Sequence, residues 1–175
     1  MDIRHGHSPR SEAAPIVAGD TMFVVTPWPN VPYAFDLTKP GPAVKWKYEP
    51  KPVPFAKGGA CCDLVNRGAV FADGRVFITT LYGHVCGGDA GTGNELWKTR
   101  FANIQIAETL TMSPLVVRGK VLVGNSGSEF GVRGWVKALD AGSGKEVWAA
   151  WSTGPDADVK IGGWFKPFYQ SDRGK

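Results

Sequence analysis

Almost the same ten-residue phrase stands twice in this chain, first as Gly88-Asp89-Ala90-Gly91-Thr92-Gly93-Asn94-Glu95-Leu96-Trp97 and again as Leu139-Asp140-Ala141-Gly142-Ser143-Gly144-Lys145-Glu146-Val147-Trp148. A looser copy runs from Asp36 to Trp46, so that three tryptophans recur at an interval of 51 residues. A period near 50, with a glycine-rich turn before an aromatic strand, is typical of stacked β-units such as the blades of a propeller. The repeat therefore predicts an array of sheets.

Each repeat opens with alternating apolar residues on both sides of a short turn. These predicted hairpins are residues 15–25 around Gly19-Asp20, 69–80 around Asp73-Gly74, and 114–124 around Arg118-Gly119. An Asp-Gly or related pair between β-branched runs is the strongest short-range signal for a hairpin. A further strand ends at Asp36, Asp89 or Asp140 and is followed by the tryptophan strand, which gives about four strands per repeat, as in a propeller blade.

The repeats predict an all-β fold, because no segment carries the long apolar period of a helix. We expect one partial β-propeller over residues 1–175, with approximate repeats at 11–50, 58–101 and 109–151 and a lead-in to further blades at 152–175. Closed propellers need about four to eight blades, and open end sheets would be left unpaired. The expectation is therefore a piece of a larger protein that lacks both ends.

Composition narrows the class of protein. The chain is 43% hydrophobic and 21% charged, which is typical of a folded domain, and no apolar run approaches the roughly 20 residues of a membrane span. We therefore expect no membrane span. The net charge is +4, but the Lys and Arg residues are scattered along the strands and form no basic stripe, so we also expect no nucleic-acid partner. Residues 1–7 lack the apolar core of a secretory signal, which alone would indicate the cytoplasm.

Three cysteines are candidates for chemistry or for packing. Cys61 and Cys62 are adjacent, and adjacent thiols can join only in a small, strained ring. Taken from the residues alone, two buried thiols on opposite faces of a strand are the more common arrangement. Cys86 has no motif around it and is interpreted as a packing residue.

Two charged residues are candidates for ligand binding. Glu129 lies in the Gly- and Ser-rich loop 124–134, where a carboxylate can reach a hard cation and successive amides can form a nest for an anion. Arg67 can pair with a ligand carboxylate through two N–H groups. The alternatives are an exposed loop glutamate and an ordinary surface arginine. The three histidines are too few and too dispersed for a metal cluster.

Taken together, segments 60–68, 108–117 and 124–134 strongly resemble the quinoprotein alcohol dehydrogenases, in particular the methanol and ethanol dehydrogenases that use pyrroloquinoline quinone (PQQ). The resemblance extends from about Glu12 to the C-terminus. It includes the tryptophan repeat, which in that family marks the docking of blades in an eight-bladed propeller. It implies that this chain contains about three of those blades, the N-terminal third of the enzyme.

The resemblance also implies roles for individual residues. Cys61 and Cys62 would form a vicinal disulfide against one face of the quinone, which reverses the interpretation from the residues alone. Six further residues match cofactor contacts of the family: Glu12, Arg67, Thr111, Ser126, Gly127 and Ser128. Glu129 matches the carboxylate that binds Ca²⁺ or a lanthanide ion beside the quinone carbonyl, where a hard ion acts as a Lewis acid.

The function implied is oxidation of a primary alcohol to an aldehyde in the periplasm, with electrons passed to a cytochrome c. A homodimeric full-length enzyme is compatible with it. No catalytic residue is assigned here, because the family pattern places the base, an aspartate, beyond Lys175, and we expect the isolated chain to be inactive. The alternatives are a non-catalytic β-propeller scaffold with the same tryptophan repeat and an inactive, truncated chain. A scaffold would have no use for the cysteine pair or for Glu129.

Two features depart from the family pattern. Segment 84–89 places Gly87 and Gly88 where an aliphatic strand is usual, which predicts a weak strand and a poorly packed second blade. Residues 5–10 replace the expected lead-in to Glu12, so the match of that residue rests on the least similar part of the chain.

Overall fold

The computed structural model describes residues 11–52 and 64–159, and this part of the chain forms three four-stranded antiparallel sheets. In each sheet the strands are hydrogen-bonded in chain order. The first sheet contains β1 (Ile16–Ala18), β2 (Thr21–Val25), β3 (Pro32–Asp36) and β4 (Val44–Lys47). The second contains β5 (Ala69–Ala72), β6 (Arg75–Thr79), β7 (His84–Asp89) and β8 (Glu95–Arg100). The third contains β9 (Leu115–Val117), β10 (Lys120–Gly124), β11 (Trp135–Asp140) and β12 (Glu146–Trp151).

The all-β fold and the four strands per repeat are thus confirmed. All three predicted hairpins are present, as β1–β2, β5–β6 and β9–β10. Asp73-Gly74 and Arg118-Gly119 have positive φ at both turn residues, as a type I′ hairpin turn requires. The repeat boundaries and the lead-in at 152–175 stay predictions.

Short helices occupy the loops of the described segments. They are 3-10 turns at Ile104–Ile106 and Ser128–Phe130 and one turn of α-helix, α1, at Asp156–Val159. Within residues 11–52 and 64–159, no helix has the length and apolar character that crossing a membrane would require.

The second sheet packs on both of its faces, because successive side chains of a strand point to opposite sides. Ile78 and Cys86 belong to a core shared with Phe23 of the first sheet. Phe77 belongs to a core shared with Val121 of the third sheet. Burying one such side chain contributes about 1.5–3 kcal/mol, so these two apolar layers hold the three sheets together. Cys86 is buried as expected of a packing residue.

Tryptophans of the repeat join each sheet to the next one along the chain. The indole Nε1 of Trp46 donates to the carbonyl of Ala90 at 2.9 Å, and that of Trp97 donates to the carbonyl of Ala141 at 3.0 Å. Both acceptors lie in the Asp-Ala-Gly turn of the following sheet. The repeated phrase therefore supplies one tryptophan and receives another.

Glycines in the same turns make room for the indole rings. A Cβ built on Gly93 would lie 2.6 Å from Cδ2 of Trp46, and one built on Gly144 would lie 2.4 Å from Cε3 of Trp97. Both glycines also have positive φ, at 76° and 69°. Only glycine satisfies the space and the backbone conformation at once.

Aspartates close these turns from within. Asp89 Oδ1 accepts hydrogen bonds from the amide of Thr92 at 2.8 Å and from its hydroxyl at 2.7 Å, and Asp140 makes the same pair of bonds with Ser143. The hydroxyl and amide bonds hold the pKa of both carboxyls below its usual range. The turn is thus rigid before any tryptophan packs on it.

The expectation of a weak strand at 84–89 is wrong. β7 pairs with β6 along its length, and with β8 from His84 to Gly88 with one β-bulge, between Gly87 and Gly88. A Cβ on Gly87 would lie 2.5 Å from Cε2 of Trp97, the residue opposite it on β8. The glycine that seemed to weaken the strand is the space into which the docking tryptophan packs, and the second sheet is well packed for that reason.

Candidate functional site

Four of the residues predicted to contact a cofactor lie in one connected line. Arg67 Nη1 donates to the hydroxyl of Thr111 at 2.9 Å, and Arg67 Nη2 lies 3.3 Å from Oε2 of Glu12. The Thr111 and Ser126 hydroxyl oxygens are 3.2 Å apart. Glu12, Arg67, Thr111 and Ser126 come from four segments separated by up to 114 residues, so the fold alone brings them together.

Backbone contacts set the position of Arg67, which lies just before β5. Its amide donates to the carbonyl of Thr111 at 3.1 Å. The neighbouring Asn66 is fully buried, donates from Nδ2 to the carbonyl of Thr79 at 2.8 Å and accepts from the amide of Gly68 at 2.8 Å. The guanidinium is therefore presented from a fixed backbone.

Another pair of backbone bonds fixes the serine end of the line. Thr109 and Ser126 exchange two hydrogen bonds, of 3.1 and 2.9 Å, which join the segment before β9 to the end of β10. Thr109 and Thr111 are both buried, whereas Ser126 is exposed. The hydroxyls thus line up from the interior to the surface.

Ser126 opens a short loop whose amides are available. Gly127 has φ of 124°, and a Cβ there would lie 2.4 Å from the carbonyl oxygen of Ala107. After it, Ser128–Phe130 forms a 3-10 turn. The amides of Gly127, Ser128 and Glu129 donate to no other described residue. Successive unpaired amides of this kind attract an anionic group.

The ion pair between Arg67 and Glu12 is exposed and weak. Their side chains are 51% and 46% exposed, and an exposed ion pair of this kind stabilises a protein by about 0–1 kcal/mol. A guanidinium remains charged at any ordinary pH. A ligand carboxylate can therefore share or replace Glu12 as the partner of Arg67 at little energetic cost.

Other predicted site residues are not brought into this line. Glu129 is exposed on the 3-10 turn. Among the described residues, no group of three or more His, Cys, Asp or Glu side chains is placed to hold a metal ion, so Glu129 belongs to no such group there. Cys61 and Cys62 lie outside the described residues.

Sequence reasoning missed a carboxylate beside the site. Glu108 accepts hydrogen bonds from the amide of Asn103 at 2.8 Å, from Nδ2 of Asn125 at 3.0 Å and from Nε1 of Trp135 at 2.5 Å. Its position directly before the Thr109–Thr111 stretch was visible in the sequence, but these three partners are not.

The site thus offers one guanidinium and two hydroxyls in contact with one another. They are followed along the chain by three amides that donate to no other described residue and by the exposed carboxylate of Glu129. Such donors suit an anion with several acidic groups, because a buried anion needs oriented donors and a cation. An exposed carboxylate is a ligand that hard cations prefer. The arrangement is that of a binding wall and contains no nucleophile paired with a base.

Comparison with known proteins was made by sequence and by structure. Residues 39–163 match a family model described as outer membrane protein assembly factor BamB. The chain is 51% identical over 150 residues to the lanthanide-dependent methanol dehydrogenase of Methylacidiphilum fumariolicum, covering 86% of this chain and 24% of that protein. It is 44% identical over 165 residues to methanol dehydrogenase (cytochrome c) subunit 1 of Paracoccus denitrificans, covering 91% of this chain and 25% of that protein.

A solved structure extends the likeness to the coordinates. The europium-containing methanol dehydrogenase matches with a TM-score of 0.84 and 50% identity, over 86% of this chain and 26% of that one. The chain spans about a quarter of the length of the curated relatives it matches. These matches and the three tryptophan-linked sheets show that the chain belongs to the PQQ-dependent methanol and alcohol dehydrogenase family, as part of its propeller.

Proposed function

We propose that this chain forms one wall of the PQQ site in a dehydrogenase that oxidises primary alcohols of the methanol or ethanol type to aldehydes. The activity belongs to the whole protein. This wall binds PQQ by itself, more weakly than a complete site would. The observation that carries the proposal is the connected line of Glu12, Arg67, Thr111 and Ser126.

The donor set fits the cofactor, which is a flat tricarboxylic acid. Arg67 would pair with one carboxylate, and the hydroxyls of Thr111 and Ser126 and the amides of Gly127 and Ser128 would bind its other oxygens. Gly127 supports this assignment, since its backbone approaches Ala107 too closely to admit a side chain. Each residue of the wall therefore binds and orients, and none moves a proton.

Glu129 would hold a Ca²⁺ or lanthanide ion through its carboxylate, with further ligands from outside the described residues. The lanthanide-dependent and europium-containing relatives support a hard ion at this place. When bound, PQQ supplies the electron acceptor of the reaction and the ion supplies Lewis acidity. Glu129 is exposed and lies beside the unpaired amides, so it can reach an ion shared with a ligand on the wall.

Partner and compartment follow from the same family. The Paracoccus relative, methanol dehydrogenase (cytochrome c) subunit 1, supports a cytochrome c as the electron acceptor. A vicinal disulfide between Cys61 and Cys62 would form in an oxidising compartment, which supports the periplasm. Both cysteines lie outside the described residues, so the disulfide stays a prediction.

A non-catalytic scaffold is the second candidate, because the matching family model carries the description of an assembly factor. Such a protein needs the docking tryptophans but has no need of a guanidinium, two hydroxyls and free amides on one surface. Ligand binding therefore separates the two candidates.

PQQ binding by the 175-residue chain tests the proposal. We expect PQQ to quench tryptophan fluorescence in a saturable way and Arg67→Met to weaken binding about 10- to 100-fold, since a hydrogen bond to a charged group contributes about 1.5–3 kcal/mol. Arg118→Met, at an exposed hairpin turn, is the matched control and should bind like the original chain.

Absence of saturable binding, or equal loss in both variants, would contradict the proposal and favour the scaffold. With methanol or ethanol, added metal and an artificial electron acceptor, we expect no turnover by this chain, because no described residue is placed as a base. Turnover would show that the wall alone is catalytic.

A further inference from the structure

The carboxylate of Glu108 is held by hydrogen-bond donors rather than by a cation. Its Oε2 accepts from the amide of Asn103 at 2.8 Å, and its Oε1 accepts from Nδ2 of Asn125 at 3.0 Å and from Nε1 of Trp135 at 2.5 Å. Hydrogen bonds to an ionised group are about twice as strong as neutral ones. Glu108 therefore ties three separate points of the chain together.

Two of those points form the neck of the loop that carries Ser126 and Glu129. The Asn125 amide donates to the carbonyl of Trp135 at 3.4 Å, and the Trp135 amide donates to Oδ1 of Asn125 at 2.8 Å. Residues 126–134 thus leave and return through one narrow gap. Glu108 contacts both sides of this gap, one through each of its Oε1 partners.

Residues on either side of Glu108 touch the same loop. Thr109 exchanges its two backbone hydrogen bonds with Ser126. On the other side, Ala107 has a left-handed backbone, with φ of 62°, and its carbonyl lies against Gly127. Movement of Glu108 would therefore shift the support beneath Ser126 and Gly127 as well as the neck.

We propose that Glu108 is a positioning residue that clamps the neck of the 125–135 loop and holds Ser126, Gly127 and Ser128 against Thr111 and Arg67. The identity of the ligand rests on the function proposed above. The clamp itself is a property of the chain without a ligand. The side chain of Glu108 makes its hydrogen bonds to Asn103, Asn125 and Trp135, and none of these three is predicted to bind PQQ. Glu108 therefore acts through its neighbours.

Glu108→Gln tests the clamp, because the amide keeps the size of the side chain but replaces one acceptor oxygen by an NH₂ group, which cannot accept from the N–H groups facing it. By hydrogen exchange, we expect the hydrogen-bonded amides of the loop to exchange about tenfold faster, while β5–β8 keep their protection. These amides are those of Ser126, Phe130, Gly131, Val132 and Trp135. Glu95→Gln is the matched control: Glu95 accepts a hydrogen bond from the hydroxyl of Tyr48, away from the loop, and its change should leave residues 126–135 unaffected.

Affinity for PQQ is a second measurement, because the clamp and the charge of Glu108 predict opposite changes in the Kd of the Glu108→Gln variant. Removing a negative charge beside an anion site would by itself strengthen binding. At metal sites, loss of a contact that supports a ligating residue weakens affinity by about 10- to 100-fold. We expect Glu108→Gln to raise the Kd for PQQ to a similar extent. Tighter or unchanged binding would overturn the proposal.

The two readouts separate failure of the clamp from failure of the proposed function. If the original chain does not bind PQQ, the proposed function fails, while hydrogen exchange still decides whether Glu108 clamps the loop. If Glu108→Gln does not fold, Trp135→Phe removes the indole donor together with some buried volume and keeps an aromatic ring in the core. The same local increase in exchange, of smaller size, is then expected, and unchanged exchange in residues 126–135 would overturn the clamp.

Discussion

Trp97 and Trp148 end the same phrase on equivalent strands but have different surroundings. Trp97 is 9% exposed and donates to the turn of the third sheet, whereas Trp148 is 39% exposed and donates to no carbonyl within residues 11–52 and 64–159. Local sequence thus determines the strand but not its burial. The phrase contributes to two different contacts. Its tryptophan can pack on the following sheet, and its glycine turn receives the tryptophan of the preceding sheet.

The largest expected effect comes from removing each indole in turn. Trp97→Ala should lower the free energy of unfolding by about 3–5 kcal/mol, as for other buried aromatic residues, because it empties the space between the second and third sheets. Trp148→Ala should lower it by less than about 1 kcal/mol, a typical value for a surface substitution. Urea unfolding followed by circular dichroism measures both; equal losses would mean that Trp148 is covered as Trp97 is.

Receiving turns provide the next comparison. Gly144→Ala should lower the free energy of unfolding by about 2–4 kcal/mol, because the new Cβ meets Trp97 at 2.4 Å and the backbone is left-handed. Gly41, in the turn of the first sheet, has a similar φ of 75° but open space around it. Gly41→Ala should therefore lose only the backbone part, about 1 kcal/mol. A loss at Gly41 as large as that at Gly144 would contradict the role of the indole.

The smallest effect concerns the aspartate inside each turn. The hydroxyl and then the amide of Thr92 lower the pKa of Asp89, and Thr38 does the same for Asp36, although only the Asp89 turn receives a tryptophan. A carboxyl whose pKa is lowered by folding stabilises the protein above its ordinary pKa of 3.8, and this stabilisation is lost as the pH falls through the lower folded value.

The aspartate of each turn should therefore stabilise that turn whether or not a tryptophan packs against it. We expect Asp36→Asn and Asp89→Asn to lower the Tm slightly at pH 7, and the difference from the original chain to shrink as the pH falls below 3.8. Thermal unfolding between pH 7 and pH 3 checks this. A pH-dependent difference in the Asp89 variant alone would show that docking, and not the turn, sets the pKa.

Much of the fold could be predicted because its signals are local. The alternating apolar residues, the glycine-containing turn and the tryptophan strand of each repeat follow one another closely along the chain. All three hairpins were therefore placed correctly. Gly87 was misjudged because the residue that requires a glycine there, Trp97, lies on another strand. A glycine judged by propensity alone looks like a weakness, whereas beside Trp97 it is a requirement of space.

Less of the candidate site could be predicted from the residues themselves. Glu12, Arg67, Thr111 and Ser126 are too far apart in sequence for any spacing rule, and only the family resemblance grouped them before the structure did. Glu108 begins segment 108–117, which carries part of the resemblance, but no role was assigned to it, since its partners Asn103, Asn125 and Trp135 become neighbours only through folding.

The burial of Cys86 between the first two sheets bears on how the chain can be oxidised. Burial raises the pKa of its thiol to about 12, so the reactive thiolate is disfavoured at neutral pH. Thiol–disulfide exchange proceeds through the thiolate. In the folded chain Cys86 is therefore protected from oxidants and from exchange with other disulfides, although it is one of three cysteines in the sequence.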